Sequence, residues 1–324
     1  MFDLKKVALI FLILALYGGG SPVWAAGATS FPVLLEPMEP RSLALGGATL
    51  TDIAWGEGIG LNPAAVVKAP RTASANFARH TLDLWSGRLS VTHPVSDYWV
   101  AGGYLTTFDY GDFERTGAGE AGQFRAAEYI LGLFAGREMG EGVNAGASMK
   151  LIWGQLDEAR ASGAALDFGL AYDPNWERLR FGLAVNNLGV EWDGYSAEKY
   201  PLPTEVLLGG SRRLLYLPLT LSLAVRLSRS GEGDWEADFL PGKPGVSVGG
   251  GGEFAVTTSR NQTLNFRIGY RSAGQNLRVG TNSDMLAGFG FGVGLPVGRY
   301  RMDYAFAPLG ALGDVHRFGV TVKF

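Results

Sequence analysis

Residue types able to do chemistry are few and scattered in this chain. It holds three histidines, His80, His93 and His316, and no cysteine. None of the histidines has metal-ligand spacing or an adjoining nucleophile elbow, so each reads as a polar residue near a strand end rather than a catalyst. The absence of cysteine removes disulfides and thiolate metal sites, and it suits an exported protein. The run Gly249-Gly250-Gly251-Gly252 is followed by neither Lys-Ser/Thr nor a helix, so it is no phosphate loop. In a strand it allows a kink or a close approach of another segment. The carboxylate pair Asp157-Glu158 falls in a connection, where solvation is the default. Nothing here points to an enzyme, a metal or a cofactor.

A second set of charged residues is more informative. Arg88, Glu128, Lys150, Arg226, Arg267, Arg271, Arg301 and Asp303 each sit inside an otherwise apolar stretch, at a position of one parity. On a strand, successive side chains point to opposite faces. In 300–306, Tyr300, Met302, Tyr304 and Phe306 share a face, opposite Arg301, Asp303 and Ala305. In 264–271, Leu264, Phe266, Ile268 and Tyr270 oppose Asn265, Arg267, Gly269 and Arg271. The same alternation runs through 218–228 and 178–187. A charge on a lipid-facing position at mid-depth costs several kcal/mol, so these residues belong on the inner face of whatever the strands enclose. Two readings stay open for them: the polar lining of a pathway, or mutually paired structural charges in a packed interior.

The elements that carry these residues are strands from about residue 71 onward. About fourteen alternating segments of roughly ten residues follow one another, the length a tilted transmembrane strand needs. Short joints (Pro94-Val95-Ser96, Pro296-Val297-Gly298) alternate with long polar connections at 109–122, 188–201, 230–245 and 272–284. Short periplasmic turns and long outer loops are the pattern of a transmembrane barrel. Aromatics such as Trp85, Trp99, Trp153, Trp176, Tyr200, Tyr216 and Tyr300 lie near segment ends, as interfacial girdles do. The fold class expected is therefore all-β, a transmembrane antiparallel β-barrel. A net charge of −3 gives no support for nucleic-acid binding.

The start of the chain has its own logic. Lys5 and Lys6 precede an apolar run from Val7 to Tyr17, then Gly18-Gly19-Gly20 and Val23-Trp24-Ala25. This reads as a secretory signal over 1–25, the alternative being an uncleaved anchor. Residues 26–70 break the strand period and are rich in Gly and Ala. They are expected to fold into the lumen as a plug or hatch, because Leu43, Leu45, Ile53, Trp55, Ile59 and Leu61 need burial; a periplasmic tail is the alternative. Residues 71–324 then form the barrel. Its last strand must pair with its first to remove the open edge.

The stretch 41–66, with Arg41, Gly46-Gly47-Ala48, Asp52 and Asn62-Pro63-Ala64 in order, resembles the N-terminal signature of PorV/PorQ-type proteins within the FadL-like (OMPP1/FadL/TodX) barrels. The ending resembles that group's final hairpin, with Asp303-Tyr304-Ala305-Phe306 before a Gly turn and His316-Arg317 opening the last strand. The resemblance implies gating or plug roles for Arg41, Gly46, Gly47, Asp52, Asn62 and Pro63; for Asn62-Pro63 a simple turn is the other reading. The chain is shorter than typical FadL members and its outer loops are modest, which favours the PorV/PorQ side. The implied function is a non-enzymatic component of type IX-like secretion that binds partner proteins in a Gram-negative outer membrane. The alternative is a FadL-like channel for hydrophobic small molecules. Phe324, aromatic and terminal, resembles the signal read by the outer-membrane assembly machinery. The partners implied are outer-membrane lipid, that machinery, and either secretion-system proteins or a hydrophobic ligand.

Overall fold

The computed structural model describes residues 29–51, 55–56, 58–115, 122–174, 178–197, 199–228, 245–259, 262–273, 285–310 and 313–324. The signal segment, Asp52 and Trp176 lie outside the described residues. Fourteen strands follow in chain order: β1 Thr72–Arg79, β2 Trp85–Pro94, β3 Trp99–Glu114, β4 Gln123–Gly140, β5 Val143–Leu156, β6 Ala159–Tyr172, β7 Leu179–Asp193, β8 Glu205–Arg213, β9 Leu219–Ser228, β10 Gly245–Thr257, β11 Thr263–Arg271, β12 Phe289–Val297, β13 Tyr300–Pro308 and β14 Asp314–Lys323. Each pairs antiparallel with its sequence neighbours, and β1 pairs β14, so the sheet closes on itself. No described helix is long and apolar enough to cross a membrane.

The alternation sorts the side chains as the period requires. Phe266 and Ile268 are half exposed on the outer face, while Arg267 between them is 4% exposed. Leu89, Leu105, Leu223, Met302 and Val320 continue an exposed apolar belt around the wall. Arg88, Arg226, Arg301, Asp303 and Arg317 are buried on the opposite face. The aromatics Trp85, Trp99 and Tyr300 each open a strand.

Two features depart from the alternating pattern. Strand β3 continues to Glu114, so the first half of the connection expected at 109–122 is strand. Strand β7 runs on to Asp193 through a bulge. There Asn187 takes φ 60, and Asn186 and Asn187 are both buried. Asn187 N–H donates to Asp167 Oδ1 at 2.8 Å, which satisfies the amide that leaves the ladder. The extra residue flips the phase, so Val190 rather than Glu191 faces outward beyond it.

Residues 29–69 have little regular structure. They contain 3-10 turns at Pro32–Leu35 and Pro63–Val66 and a short helix at Pro40–Ala44. Each begins on proline, whose missing N–H costs nothing at that position. The helix packs against β11, β12, β13 and β14, and the second 3-10 turn against β4, β5 and β6. Phe31, Val33, Met38, Ile59 and Val66 join Tyr104, Ile130, Phe134 and Ile152 in one apolar cluster. Ala48, Leu50 and Leu61 join Ala184, Leu207 and Ala224 in another. These wall residues belong to the inward parity.

Phe266→Arg should lower the unfolding free energy of the vesicle-inserted barrel by about 2–4 kcal/mol, because it places a cation at mid-depth in lipid. Urea titration in phospholipid vesicles measures this. Wild-type stability for the variant would contradict the assigned face of β11.

Candidate functional site

The interior charges meet as a network that joins the N-terminal segment to the wall. Glu253 on β10 accepts from Arg41 twice, Nε to Oε2 at 2.8 Å and Nη2 to Oε1 at 3.1 Å. Glu253 also accepts from Arg267 on β11 at 2.5 Å. Arg267 Nη1 reaches Asp303 on β13 at 2.6 Å, and Asp303 in turn holds Arg301 Nε at 2.8 Å. Four of the sequence candidates, Arg41, Arg267, Arg301 and Asp303, are thus brought together. Glu253, the partner shared by Arg41 and Arg267, was not among the candidates. Its only signal is its parity after the glycine run, since Gly249, Gly251 and Glu253 fall on one face.

Two acids of the N-terminal segment reach wall cations. Glu39 Oε1 accepts from Arg88 Nη1 at 2.9 Å, and Arg88 Nε also donates to Thr106 Oγ1 at 2.8 Å. Glu36 Oε1 accepts from Arg317 Nη2 at 2.8 Å. Within 36–41, then, two acids and one base each meet an opposite charge on a different part of the wall. Arg226 pairs within the wall, both Glu205 carboxylate oxygens lying 2.7 Å from Nη1. Lys150 meets Asp167 at 2.8 Å and Asn187 Oδ1 at 2.7 Å. Glu128 stands apart from the cations. Tyr110 donates to it at 3.1 Å, and Tyr195 also hydrogen-bonds it. Burial, then the Glu128 charge, pushes the Tyr195 hydroxyl above its ordinary pKa. Arg271 is half-buried at the end of β11.

The glycines mark where the segment touches the wall. Gly46 and Gly47 have φ of 63° and 80°, which a side chain resists. A Cβ on Gly46 would lie 2.3 Å from the Tyr270 carbonyl oxygen, and one on Gly249 would lie 2.0 Å from the Gly46 carbonyl oxygen. The segment also meets Gly251, Gly269 and Gly290 through Leu43 to Gly46. Asn62 anchors the other side. Its Nδ2 donates to the carbonyls of Leu50 and Leu170, both at 3.0 Å, and its Oδ1 accepts from Ala64 N–H at 3.0 Å, capping the turn that Pro63 opens. Thr51 and Ser211 hydroxyls lie 2.6 Å apart, tying the segment to β8.

The histidines do not assemble. His80 lies between β1 and β2, its Nε2 3.0 Å from Ser86 Oγ. Burial holds its pKa below the ordinary value, Glu36 opposing this and Arg317 adding to it. His93 receives a hydrogen bond from Arg71 at 2.9 Å at the opposite end of the barrel. His316 sits on the outer face against Tyr304 and Phe306. No group of acids and histidines among the described residues could hold a metal. Gly245-Val246-Ser247-Val248-Gly249 matches G-x-S-x-G in letters, but Ser247 lies near the start of β10, with ten strand residues after it, not on the strand-to-helix turn that a nucleophile elbow requires.

A cavity of about 20 Å³ is lined by Met38, Glu39, Arg88, Tyr104, Lys150 and Arg226, among others. That is room for about one water molecule.

Glu253→Ala removes the carboxylate that accepts twice from Arg41 and weakens the hold on Arg267, so it should cost about 3–5 kcal/mol in urea unfolding. Arg41→Ala should cost less, because Glu253 keeps Arg267. Adding Arg41→Ala to Glu253→Ala should recover part of the loss. A change within about 0.5 kcal/mol for Glu253→Ala, the range of an ordinary surface substitution, would contradict the network's importance.

Comparison with known proteins bears on the fold. No protein-family model matches the chain, and no curated protein matches it. Solved structures do. The Pseudomonas putida toluene transporter TodX is similar with a TM-score of 0.58 at 12% identity, over 90% of this chain and 99% of that one. The CymD monoaromatic hydrocarbon channel gives 0.60 at 12% identity, over 92% and 99%. A Pseudomonas aeruginosa FadL homologue gives 0.55 at 12% identity, over 89% and 98%. At such identities the likeness is one of architecture: this chain has the closed fourteen-stranded barrel fold of those channels.

Proposed function

We propose that the chain is a non-enzymatic outer-membrane barrel of a Gram-negative bacterium that passes small hydrophobic molecules, with residues 29–69 acting as its plug. The carrying observation is the apolar strip on the inward face of β3 to β5, made by Tyr104, Ile130, Phe134 and Ile152. Its large side chains set it apart from the rest of the inner wall, which carries paired charges, glycines and a smaller apolar cluster. It is covered in this structure by Phe31, Val33, Met38, Ile59 and Val66. The names of the similar structures, a toluene transporter and a monoaromatic hydrocarbon channel, support the same solute class. A cavity of about 20 Å³ cannot admit a benzene ring, which occupies an engineered cavity of about 150 Å³. The structure is therefore read as the closed state, and the segment must shift before a solute passes.

A second reading has one observation of its own. The side of the interior facing β9 to β14 is filled by paired charges, which suits a barrel that serves as a fixed body for partner proteins, as in the PorV/PorQ resemblance. The similarity to hydrocarbon channels favours the first reading.

One double variant tests the two. Thr51→Cys with Ser211→Cys replaces hydroxyls 2.6 Å apart by a reducible bond in a chain that has no other cysteine. Cells expressing wild type should take up radiolabelled toluene severalfold faster than vector controls. The oxidised double variant should fall to the control rate and recover on reduction. Uptake equal to vector in every state would remove the channel reading and leave the partner-binding one. Uptake that ignores the oxidised bond would remove the plug.

Phe324 is proposed as the assembly signal. It is exposed on the outer face, and its N–H donates to the Arg71 carbonyl at 3.1 Å. Its deletion should lower membrane-inserted yield while the molecules that do insert keep wild-type uptake. Unchanged yield, read as the heat-modifiable band on gels, would contradict that role.

A further inference from the structure

Glu128 is buried on the inward face of β4, yet the groups that donate to it are neutral. The Tyr110 hydroxyl donates to Oε2 at 3.1 Å, the Tyr195 hydroxyl gives a second hydrogen bond and the Val33 N–H a third. Two of the three donors are therefore phenols. The strand register explains how Tyr195 reaches the carboxylate. Phe108 on β3 and Gly154 on β5 lie directly across from Glu128, and Ala161 on β6 lies across from Gly154. Residues of one row share a face, so Phe108, Glu128, Gly154 and Ala161 stand side by side on the inner wall. Gly154 and Ala161 leave a slot beside the carboxylate. The Tyr195 hydroxyl fills it, in the space that a Cβ on Gly154 would need. Tyr195 itself is half-buried in the connection between β7 and β8, with its ring centroid 6.3 Å from that of Phe31.

Position and occupant both suit a binding site. Ile130 and Ile152 lie two residues beyond Glu128 and Gly154, away from the long connections, so the slot opens directly onto the apolar strip. Tyr195 packs against the same cluster. It is carried by one of the long connections, so a solute arriving from outside meets its ring before the strip. A tyrosine side chain is para-cresol tied to a backbone. When that ring withdraws, the buried carboxylate loses a donor, and only a solute with a hydroxyl replaces it. A bare hydrocarbon fills the slot without donating. A site built round a hydroxyl discriminates more strongly than an apolar pocket does.

We propose that the slot formed by Glu128 and Gly154 is an entry site for phenols, occupied in this closed structure by Tyr195 as a tethered stand-in. This rests on the channel reading above and narrows its solutes to monoaromatics that carry a hydroxyl. Glu128 also accepts from the Val33 N–H, so a phenol bound there shares its acceptor with the plug.

The full chain, purified in detergent, is titrated with para-fluorophenol, para-fluoroanisole and para-fluorotoluene and followed by fluorine NMR. Wild type should bind the phenol about tenfold more tightly than the other two, the lower end of what a hydrogen bond to a charged group contributes. Glu128→Leu should erase that preference. Tyr195→Ala removes the tethered competitor, so it should bind the phenol several-fold more tightly than wild type, a gain that misfolding does not produce. Wild type without a preference, a preference that survives Glu128→Leu, or a Tyr195→Ala barrel no tighter for the phenol than wild type overturns the proposal. Uptake by cells is read separately. Toluene and para-cresol both entering at the vector rate, with the binding preference intact, would end the channel reading and leave the site standing.

Discussion

The pairing of β1 with β14 is the contact on which the rest of the molecule depends. In hydrocarbon an unpaired N–H or C=O costs several kcal/mol, and a sheet with two free edges has a row of them on each. The eight residue pairs from Thr72–Lys323 to Arg79–His316 remove both edges at once. Only after closure does one parity become an outside and the other an inside. Phe266 can then be exposed and Arg267 buried on neighbouring residues without conflict.

Closure creates the second constraint. It removes the inward cations from bulk water, so each needs a partner. The wall supplies some of these, as Glu205 does for Arg226 and Asp167 for Lys150. For Arg88 and Arg317 the opposite charge comes from Glu39 and Glu36 in the N-terminal segment, and for Glu253 part of it comes from Arg41. Desolvated pairs of this kind add little stability over apolar packing, but losing one partner is expensive. Their effect is to specify one seating of an irregular segment that has few backbone hydrogen bonds to the sheet.

The barrel was legible because its signal is local and repeated. The period of two, read along β11 and β13, assigns inner and outer faces without knowledge of any neighbour. The bulge at Asn186 and Asn187 was not legible, since it exists only through Asp167 on the adjacent strand. The reach of β3 to Glu114 was hidden because Asp109, Gly111 and Asp112 look like loop residues. Among the interior charges, Arg88, Glu128, Lys150, Arg226, Arg267, Arg301 and Asp303 stood out by being charged within apolar stretches, whereas Arg317 was not singled out. Glu36 and Glu39 lie in a stretch with no period, so nothing in the local pattern tells a wall partner from a solvated acid. Their roles come from contacts 49 positions away for Glu39 and 281 for Glu36.

That separation has a consequence for how the molecule is put together. Arg317 and Glu36 are 281 positions apart, and Arg317 belongs to the strand that closes the sheet. The Gly46 carbonyl occupies the space over Gly249 that a side chain would need. A segment fitted so closely to an inner surface cannot easily be threaded into a finished cylinder. This fit favours an order in which residues 36–46 stay loosely held while the wall curls round them and the last strand closes the seam. Contacts this distant in sequence form late and slowly. The closing strand thus acts as a check on completeness, because it finds its full set of partners only when the segment is already in place.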